Sequence, residues 1–432
     1  MSIPHHQKIN IAIAGGGIAG LSLTVGLIQH PHITVHIYES QPAYPCTGAG
    51  LALHKNALAA MDLISPELKI SYLARANLMS RDAEVELATQ VLLAEGQHSG
   101  RVIGRLGKAK GRRTISRKDL LEGWIGLLPG NTVSFGKKVQ GVVLSLLNDG
   151  GDSNDIKSQV KLEFTDGTTA EADCLIGADG VRSAARRYLL GENHPATAPK
   201  NHDQWYLYSR AVPMDEARQV VREEWTRNAA ILCGSKGYMC SLPIDKGDTL
   251  SCTFQAPGAL CGGEPESFTM GLFDGYSEDA RAIAELISRN PHQSWKIYDH
   301  DPAPKYYHGV VAMIGDAAHA TGPFVGNGAG QAIEDAAVLN ALFARLAEAS
   351  QIPAVFSAYD AVRRERSTKA INMSRDVGRL YAYALEAVGS DPEKMERYLR
   401  ESGSYLNDVD LEAQNAAAID LFEKYRVNIE SI

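Results

Sequence analysis

The sequence predicts an α/β chain, α+β overall, in which a Rossmann-like dinucleotide-binding domain carries an inserted antiparallel sheet and ends in a helical segment. Three observations predict it. An apolar run, a glycine loop, a helical stretch and a second apolar run follow one another from Lys8 to Glu39. Alternating apolar segments between Trp205 and Phe254 read as a separate sheet. A second glycine-rich stretch, Gly315 to Asp335 (GDAAHATGPFVGNGAGQAIED), stands far downstream and supplies the dinucleotide-binding domain with a distant second half.

Lys8 to Ala14 is a strand, and Gly15, Gly17 and Gly20 form a GxGxxG loop before a helix that reaches Gln29. The next strand, Thr34 to Tyr38, ends at Glu39, an acid about 20 residues beyond the loop, as in dinucleotide-binding βαβ units. Each part has a task. The glycines permit a tight turn and let backbone amides approach a pyrophosphate, the helix start adds partial positive charge, and the Glu39 carboxylate accepts hydrogen bonds from ribose hydroxyls. From residue 85 to 112 the pattern is irregular, and its basic end (Lys108, Lys110, Arg112, Arg113) reads as a solvated face or loop. Thr114 to Trp124 then starts a helix, with Ser116 as cap and Asp119 in the place of a capping-box acid. Arg117, in its first turn, can stack on a ring or pair with a phosphate.

Val133 to Leu147 and Val160 to Phe164, with the turn Asp166-Gly167, read as an antiparallel meander, and polar Asn148 to Lys157 as a surface loop. Ala172 to Asp179 is a buried strand running into Asp179, Gly180, Arg182, Ser183 and Arg186. In the inserted sheet, strands are expected at Trp205 to Val212, Ala229 to Leu232, Tyr238 to Leu242 and Thr249 to Phe254. Glu264 to Ser288 reads as helical, and the chain returns to the first domain through Tyr298 to His308. After the strand Val311 to Ile314 come Asp316, Pro323 and then Gly326, Gly328 and Gly330, which open a helix continuing through Arg345. Another helix runs from Val355 to about Tyr383 with the polar run Arg363 to Arg366, and Pro392 to Tyr425 is helical and amphipathic. The expected boundaries are residues 7–72, 112–195 and 300–375 for the dinucleotide-binding domain, 73–111 and 196–299 for a substrate-binding domain, and 376–432 for the C-terminal helical segment.

A chain of 432 residues is too long for one small core, and about 150 residues per domain suggests two or three. Its net charge of -8 gives no electrostatic footprint for nucleic acid or an anionic membrane. The uncharged stretch Ile9 to Ile28 nears the length of a spanning helix, but five glycines interrupt it. A strand, turn and helix is the better reading, and with no leader pattern the protein is expected to be cytoplasmic with no membrane span. Six cysteines (Cys46, Cys174, Cys233, Cys240, Cys252, Cys261) show no CxxC pair and no histidine at zinc spacing, so reduced thiols and no metal are expected.

Taken in order, these segments resemble the FAD-dependent aromatic hydroxylases, in particular the salicylate hydroxylase branch of the para-hydroxybenzoate hydroxylase family of single-component flavoprotein monooxygenases. The resemblance is carried by the glycine loop with Glu39, by Arg117 in ISRKDLL, by Asp179 in GADGVRSAAR and by GDAAHATGPFVGNGAGQAIEDA, and covers nearly the whole chain. It implies a resident FAD. Gly15, Gly17, Gly20 and Glu39 would hold its pyrophosphate and ribose, Arg117 its ribityl or phosphate portion, and Asp316 its ribityl chain. Asp179 belongs to a motif shared between FAD and NADPH. Pro323, Gly326, Gly328, Ala329 and Gly330 would face the flavin pyrimidine edge, where an unpaired helix start suits the negative charge of reduced flavin. Gly50 and His54, in GAGLALHKNAL, are expected beside the flavin, with His54 a candidate for chemistry; His319, inside the clamping loop, is expected to shape the turn.

One complete GxGxxG unit leaves room for one tightly held dinucleotide, so NADPH or NADH is expected to bind transiently as reductant. The resemblance implies hydroxylation of a phenolic or related aromatic small molecule by O2, through a flavin C4a-hydroperoxide, in a monomer or homodimer. A deprotonated ring oxygen assists such a reaction, and Arg210 and Tyr238, on separate strands of the inserted sheet, are candidates to stand beside it. A flavin-dependent halogenase would share the fold, but its WxWxIP signature is missing: Trp124, Trp205, Trp225 and Trp295 are isolated. An FAD-dependent reductase or oxidase without oxygen insertion, and a non-catalytic flavin-binding module, stay open on motifs alone.

Overall fold

The computed structural model describes residues 8–44, 50–80, 82–148, 156–258, 268–289 and 293–430. Cys46, Cys261, most of the Asn148 to Lys157 loop and the beginning of the Glu264 to Ser288 stretch lie outside them.

A mainly parallel sheet positions the nucleotide-binding segments. Its six strands are ordered Tyr307–His308, Val311–Met313, Cys174–Gly177, Ile9–Ala14, Ile33–Tyr38 and Val133–Ser134. All neighbours are parallel except the first pair. Ile9–Ala14 pairs with the next strand of the chain on one side and with the distant Cys174–Gly177 on the other. Strand order therefore reverses at its carboxyl end, and a crevice opens there. Both faces of this strand are covered, which is why it reads as a nearly continuous apolar run. The helix Ile18–Leu27 is buried from Ala19 onward, so the uncharged stretch that approached membrane length is a core strand, turn and helix.

The inserted sheet is larger than the sequence suggested. Its seven strands are ordered Gln293–Lys296, Trp205–Pro213, Thr249–Pro257, Gly237–Ile244, Ala230–Gly234, Glu86–Leu93 and Val102–Lys110. The four expected strands are present, and three more join them. Glu86–Leu93 and Val102–Lys110 form a hairpin in the region read as irregular, and Lys108 and Lys110 lie in a strand, not a loop. The hairpin escaped notice because its outer strand is largely exposed on both faces, so apolar residues do not alternate. A separate meander, Val139–Asn148, Ile156–Phe164 and Thr169–Ala172, packs beside the parallel sheet.

Strand periodicity sorts the inserted sheet into two faces. Tyr206 and Tyr208 point toward the helix Glu278–Ser288 and share a core with Phe254 and Phe273. Trp205, Leu207, Cys233 and Tyr238 point the other way, into a core with Phe324, Val377 and Tyr381. The latter face meets the long helix Ile352–Tyr381 and the turn Pro323–Val325. Beyond the long helix, the C-terminal segment is two helices, Pro392–Asn407 and Leu411–Glu430, not one. Among the described residues, no helix is long and apolar enough to cross a membrane, and no cluster of His, Cys, Asp and Glu is placed to hold a metal ion.

Candidate active site

The glycine loop closes the crevice by contact that no side chain would allow. Gly15 has φ +105°, and a Cβ there would lie 2.3 Å from the Ala178 carbonyl oxygen. A Cβ on Gly20 would lie 2.0 Å from the Gly15 carbonyl oxygen. Backbone thus packs on backbone, and the following helix starts at Gly17 with no side chain capping its amides. Those donors remain open to an anion. Glu39 is buried and accepts hydrogen bonds from the amides of Gly16 (2.7 Å) and Gln41 (2.8 Å), so it also holds the loop in shape.

Arg117 and Asp316 face the same crevice. The Arg117 guanidinium lies 3.4 Å from the position a Cβ would take on Gly17. Asp316 opens to solvent in the crevice but is walled by protein on its other sides. That desolvation raises its carboxyl above the ordinary value, against the opposing pull of His319 and Arg117. Asp179 accepts hydrogen bonds from the Ser183 hydroxyl and the Ala184 amide, fixing the helix Ala184–Leu190. Burial raises its carboxyl. Arg186, fully buried, donates to the carbonyl oxygens of Ala317 (3.1 Å), Ala318 (2.8 Å) and Asp301 (2.8 Å), and so holds the turn that presents Asp316.

Pro323 and Gly326 are exposed, and the helix Gly328–Phe343 opens behind them with no side-chain cap. Gly326 takes a left-handed conformation, φ +61°, that reverses the chain into this helix. A Cβ on Gly330 would press to 2.8 Å from Asn56 Nδ2 and 2.9 Å from Asn327 Oδ1. Gly328 and Ala329, half-buried, complete the open first turn. Gly50 sits where a Cβ would be 3.0 Å from Ile244 of the inserted sheet.

A cavity of about 720 Å³ adjoins the turn, and Leu53, His54, Leu106, Arg112, Val325 and Tyr381 are among the residues that line it. His54 lines this cavity. Its Nε2 lies 3.7 Å from where a Cβ would sit on Gly326, and burial together with the nearby Arg112 lowers its pKa to about 4. The other two candidates do not line the cavity. Arg210 shares the face of Tyr206 and Tyr208, away from Phe324, and pairs with Glu216 (3.0 Å) and the Leu286 carbonyl oxygen (2.9 Å). Tyr238 is on the near face, but its hydroxyl donates to Gln255 at 2.6 Å and its ring is packed against Tyr381 and Trp205.

Against known proteins, the model of the FAD binding domain family matches residues 129–374. Along 424 residues, 96% of this chain and 93% of the other, the chain is 37% identical to 6-methylsalicylate 1-monooxygenase from Aspergillus terreus. The chain belongs to the FAD-dependent aromatic hydroxylases. A further FAD-dependent monooxygenase, from Monascus ruber, is 31% identical over 98% of both chains. A salicylate hydroxylase solved as a substrate complex superposes with a TM-score of 0.81 at 28% identity, covering 95% of this chain and 98% of that one.

In this aromatic hydroxylase the residues present fit FAD. Two uncapped helix starts, at Gly17 and Gly328, offer backbone donors, and with the Arg117 guanidinium and the Asp316 carboxylate they make a set of groups suited to a pyrophosphate, an electron-rich ring edge and a polyol. What sequence reasoning missed lies behind the second helix. Arg363, fully buried, binds Glu334 (2.5 Å) and Asp335 (2.7 Å), and Glu334 also accepts from Arg366 and Asn56. Asp335 in turn accepts from the Gly315 amide (2.8 Å) and faces His319 Nε2 at 2.5 Å. Burial pushes the Asp335 carboxyl up, and His319 and Arg363 more than reverse this, leaving it at about 2. The network therefore fixes both sides of the clamp, Asp316 through Gly315 and the glycine turn through Asn56. Its signal was the helical period, because Arg363 lies on the stripe of Phe356, Tyr359 and Ala370, all buried.

Proposed function

We propose that this FAD-dependent aromatic hydroxylase acts on a small hydroxybenzoate of the salicylate type, bound in the cavity beside the Gly326 turn. The observation that carries the reading is the sign of charge around that cavity. Seven lysines and arginines line it against two acids, in a chain of net charge -8, which favours an anionic ring. The substrate named for the 37% identical relative, 6-methylsalicylate, is such a ring.

When bound, FAD accepts electrons from NAD(P)H and activates O2, so the difficult chemistry is the cofactor's. Gly15, Gly17 and Gly20 receive its pyrophosphate, Glu39 its adenosine ribose, Arg117 and Asp316 its ribityl and phosphate portion. Pro323, Gly326, Gly328, Ala329 and Gly330 take the pyrimidine edge, with Gly50 opposite. Leu53, Leu106, Val325 and Tyr381 exclude water and orient the ring. His54, neutral above its lowered pKa, accepts a hydrogen bond from the phenolic hydroxyl. The work divides between the parallel sheet with residues 7–72, 112–195 and 300–375, and the inserted sheet with residues 73–111 and 196–299.

The test is turnover. Salicylate, 6-methylsalicylate and unsubstituted phenol are each added to the FAD-loaded enzyme with NADPH and with NADH. The hydroxybenzoates should accelerate reductant oxidation and yield a hydroxylated product; equal or greater acceleration by phenol would refute the hydroxybenzoate assignment.

A further inference from the structure

Arg112 differs from the other six cations around the cavity, of which Arg105 and Arg400 are exposed to solvent. Lys108 pairs with Glu86 at 2.8 Å, Lys110 with Glu84 at 3.0 Å, and Lys55 with Asp408. Arg113 donates to the Ala76 carbonyl oxygen at 2.9 Å. Arg112 is half-buried, and its terminal nitrogens both reach one neutral acceptor, the Thr89 hydroxyl, at 3.2 Å. Among the described residues no carboxylate lies within 4.0 Å of its guanidinium. A partly desolvated cation without a counter-charge is costly, and burial lowers its pKa accordingly.

The surroundings aim this cation at the ring site. Gly107 takes φ +57°, and a Cβ there would meet the Arg112 guanidinium at 3.3 Å and the His54 imidazole at 3.2 Å. The missing side chain lets the two groups lie side by side at the cavity wall. The far side of the same imidazole faces the Gly326 turn. From Arg112 through His54 to that turn, a permanent cation, a neutral acceptor and the flavin-facing backbone stand in line.

We propose that Arg112 is the anchor for the substrate's carboxylate, positioning the ring so that its hydroxyl meets His54. This rests on the hydroxybenzoate reading above and adds the residue that enforces it. An arginine fork matches a carboxylate through two parallel charge-assisted hydrogen bonds, which neither the Thr89 hydroxyl nor a lysine reproduces. The same guanidinium is a chemical match for a phosphate of the pyridine nucleotide, so the experiment separates the two sources.

The experiment titrates the FAD-loaded enzyme with benzoate, salicylate and phenol, reading the flavin absorbance change, in the native protein and in Arg112→Met and Arg112→Lys. KM for NADPH and salicylate turnover are measured alongside, and FAD content reports folding. Arg112→Met should weaken benzoate and salicylate binding roughly 100-fold, leave phenol binding and the KM for NADPH unchanged, and be partly rescued by Arg112→Lys. Equal weakening of phenol and benzoate, a raised KM for NADPH with carboxylate affinity kept, or no benzoate binding by the native enzyme would each overturn the anchor. Benzoate affinity that depends on Arg112, in an enzyme that does not turn over salicylate, would keep the anchor and overturn the substrate reading.

Discussion

Gly15 tolerates no side chain for two independent reasons, its positive φ and the Ala178 carbonyl 2.3 Å from its missing Cβ. Gly15→Ala should cost about 1–3 kcal/mol of local strain and weaken FAD binding by tenfold or more, read as flavin retained on gel filtration. His54 has a different signature. His54→Ala should lower kcat about 100-fold at unchanged FAD content, since the residue touches the ring site and not the dinucleotide loop. The glycine was legible in the sequence, because a βα turn is a local event. Arg112 was not. A basic run is most often solvated, and what distinguishes Arg112 from Lys108 and Lys110 is the absence of a glutamate across the hairpin, which only the paired strands reveal.

At the scale of elements, the pleat decided the fate of one candidate. Successive residues of Trp205–Pro213 point to opposite faces, so Arg210 falls with Tyr208 on the side of the helix Glu278–Ser288 and pairs with Glu216. The strand was readable from its alternation, but which face meets the flavin domain is set by how the sheet docks. The long helix shows the converse case. Its period places Arg363 on the buried stripe, where it meets Glu334 and Asp335 from the helix that carries the glycine turn. Arg363→Leu would take the shared cation from two buried carboxylates, leaving Glu334 to Arg366 and Asp335 to His319, and should destabilise the protein by about 3 kcal/mol, seen as a lowered Tm. FAD affinity should fall with it, because the same carboxylates hold Gly315 and Asn56.

The molecule as a whole should be sensitive to mild acid. His300, fully buried, and His54 both have pKa values lowered from 6.5 to about 4, by burial first and then by Arg186 and Arg112 respectively. Between these values the unfolded chain binds protons that the folded chain does not. Stability is therefore complete above pH 6.5 and declines as pH falls toward 4, with His300 contributing roughly 3 kcal/mol. The Asp335 carboxylate, held at about 2, loses its contribution only at more acidic pH. A Tm profile should slope in that window and flatten in part for His300→Phe; a flat native profile would contradict the assignment.

From the chain alone one reads the α/β class, the dinucleotide loop with Glu39, the second glycine turn and hence a flavin enzyme, because each is a contiguous segment whose backbone conformation is written in its own glycines, prolines and apolar spacing. Folding alone decided which polar groups line the cavity: it left Arg112 with the neutral Thr89 hydroxyl and, among the described residues, no carboxylate, it turned Arg210 away by sheet docking, and it buried Arg363 behind the clamp in the packing of three helices. A charge's role depends on what lies across from it, and for these residues the partner comes from elsewhere in the chain.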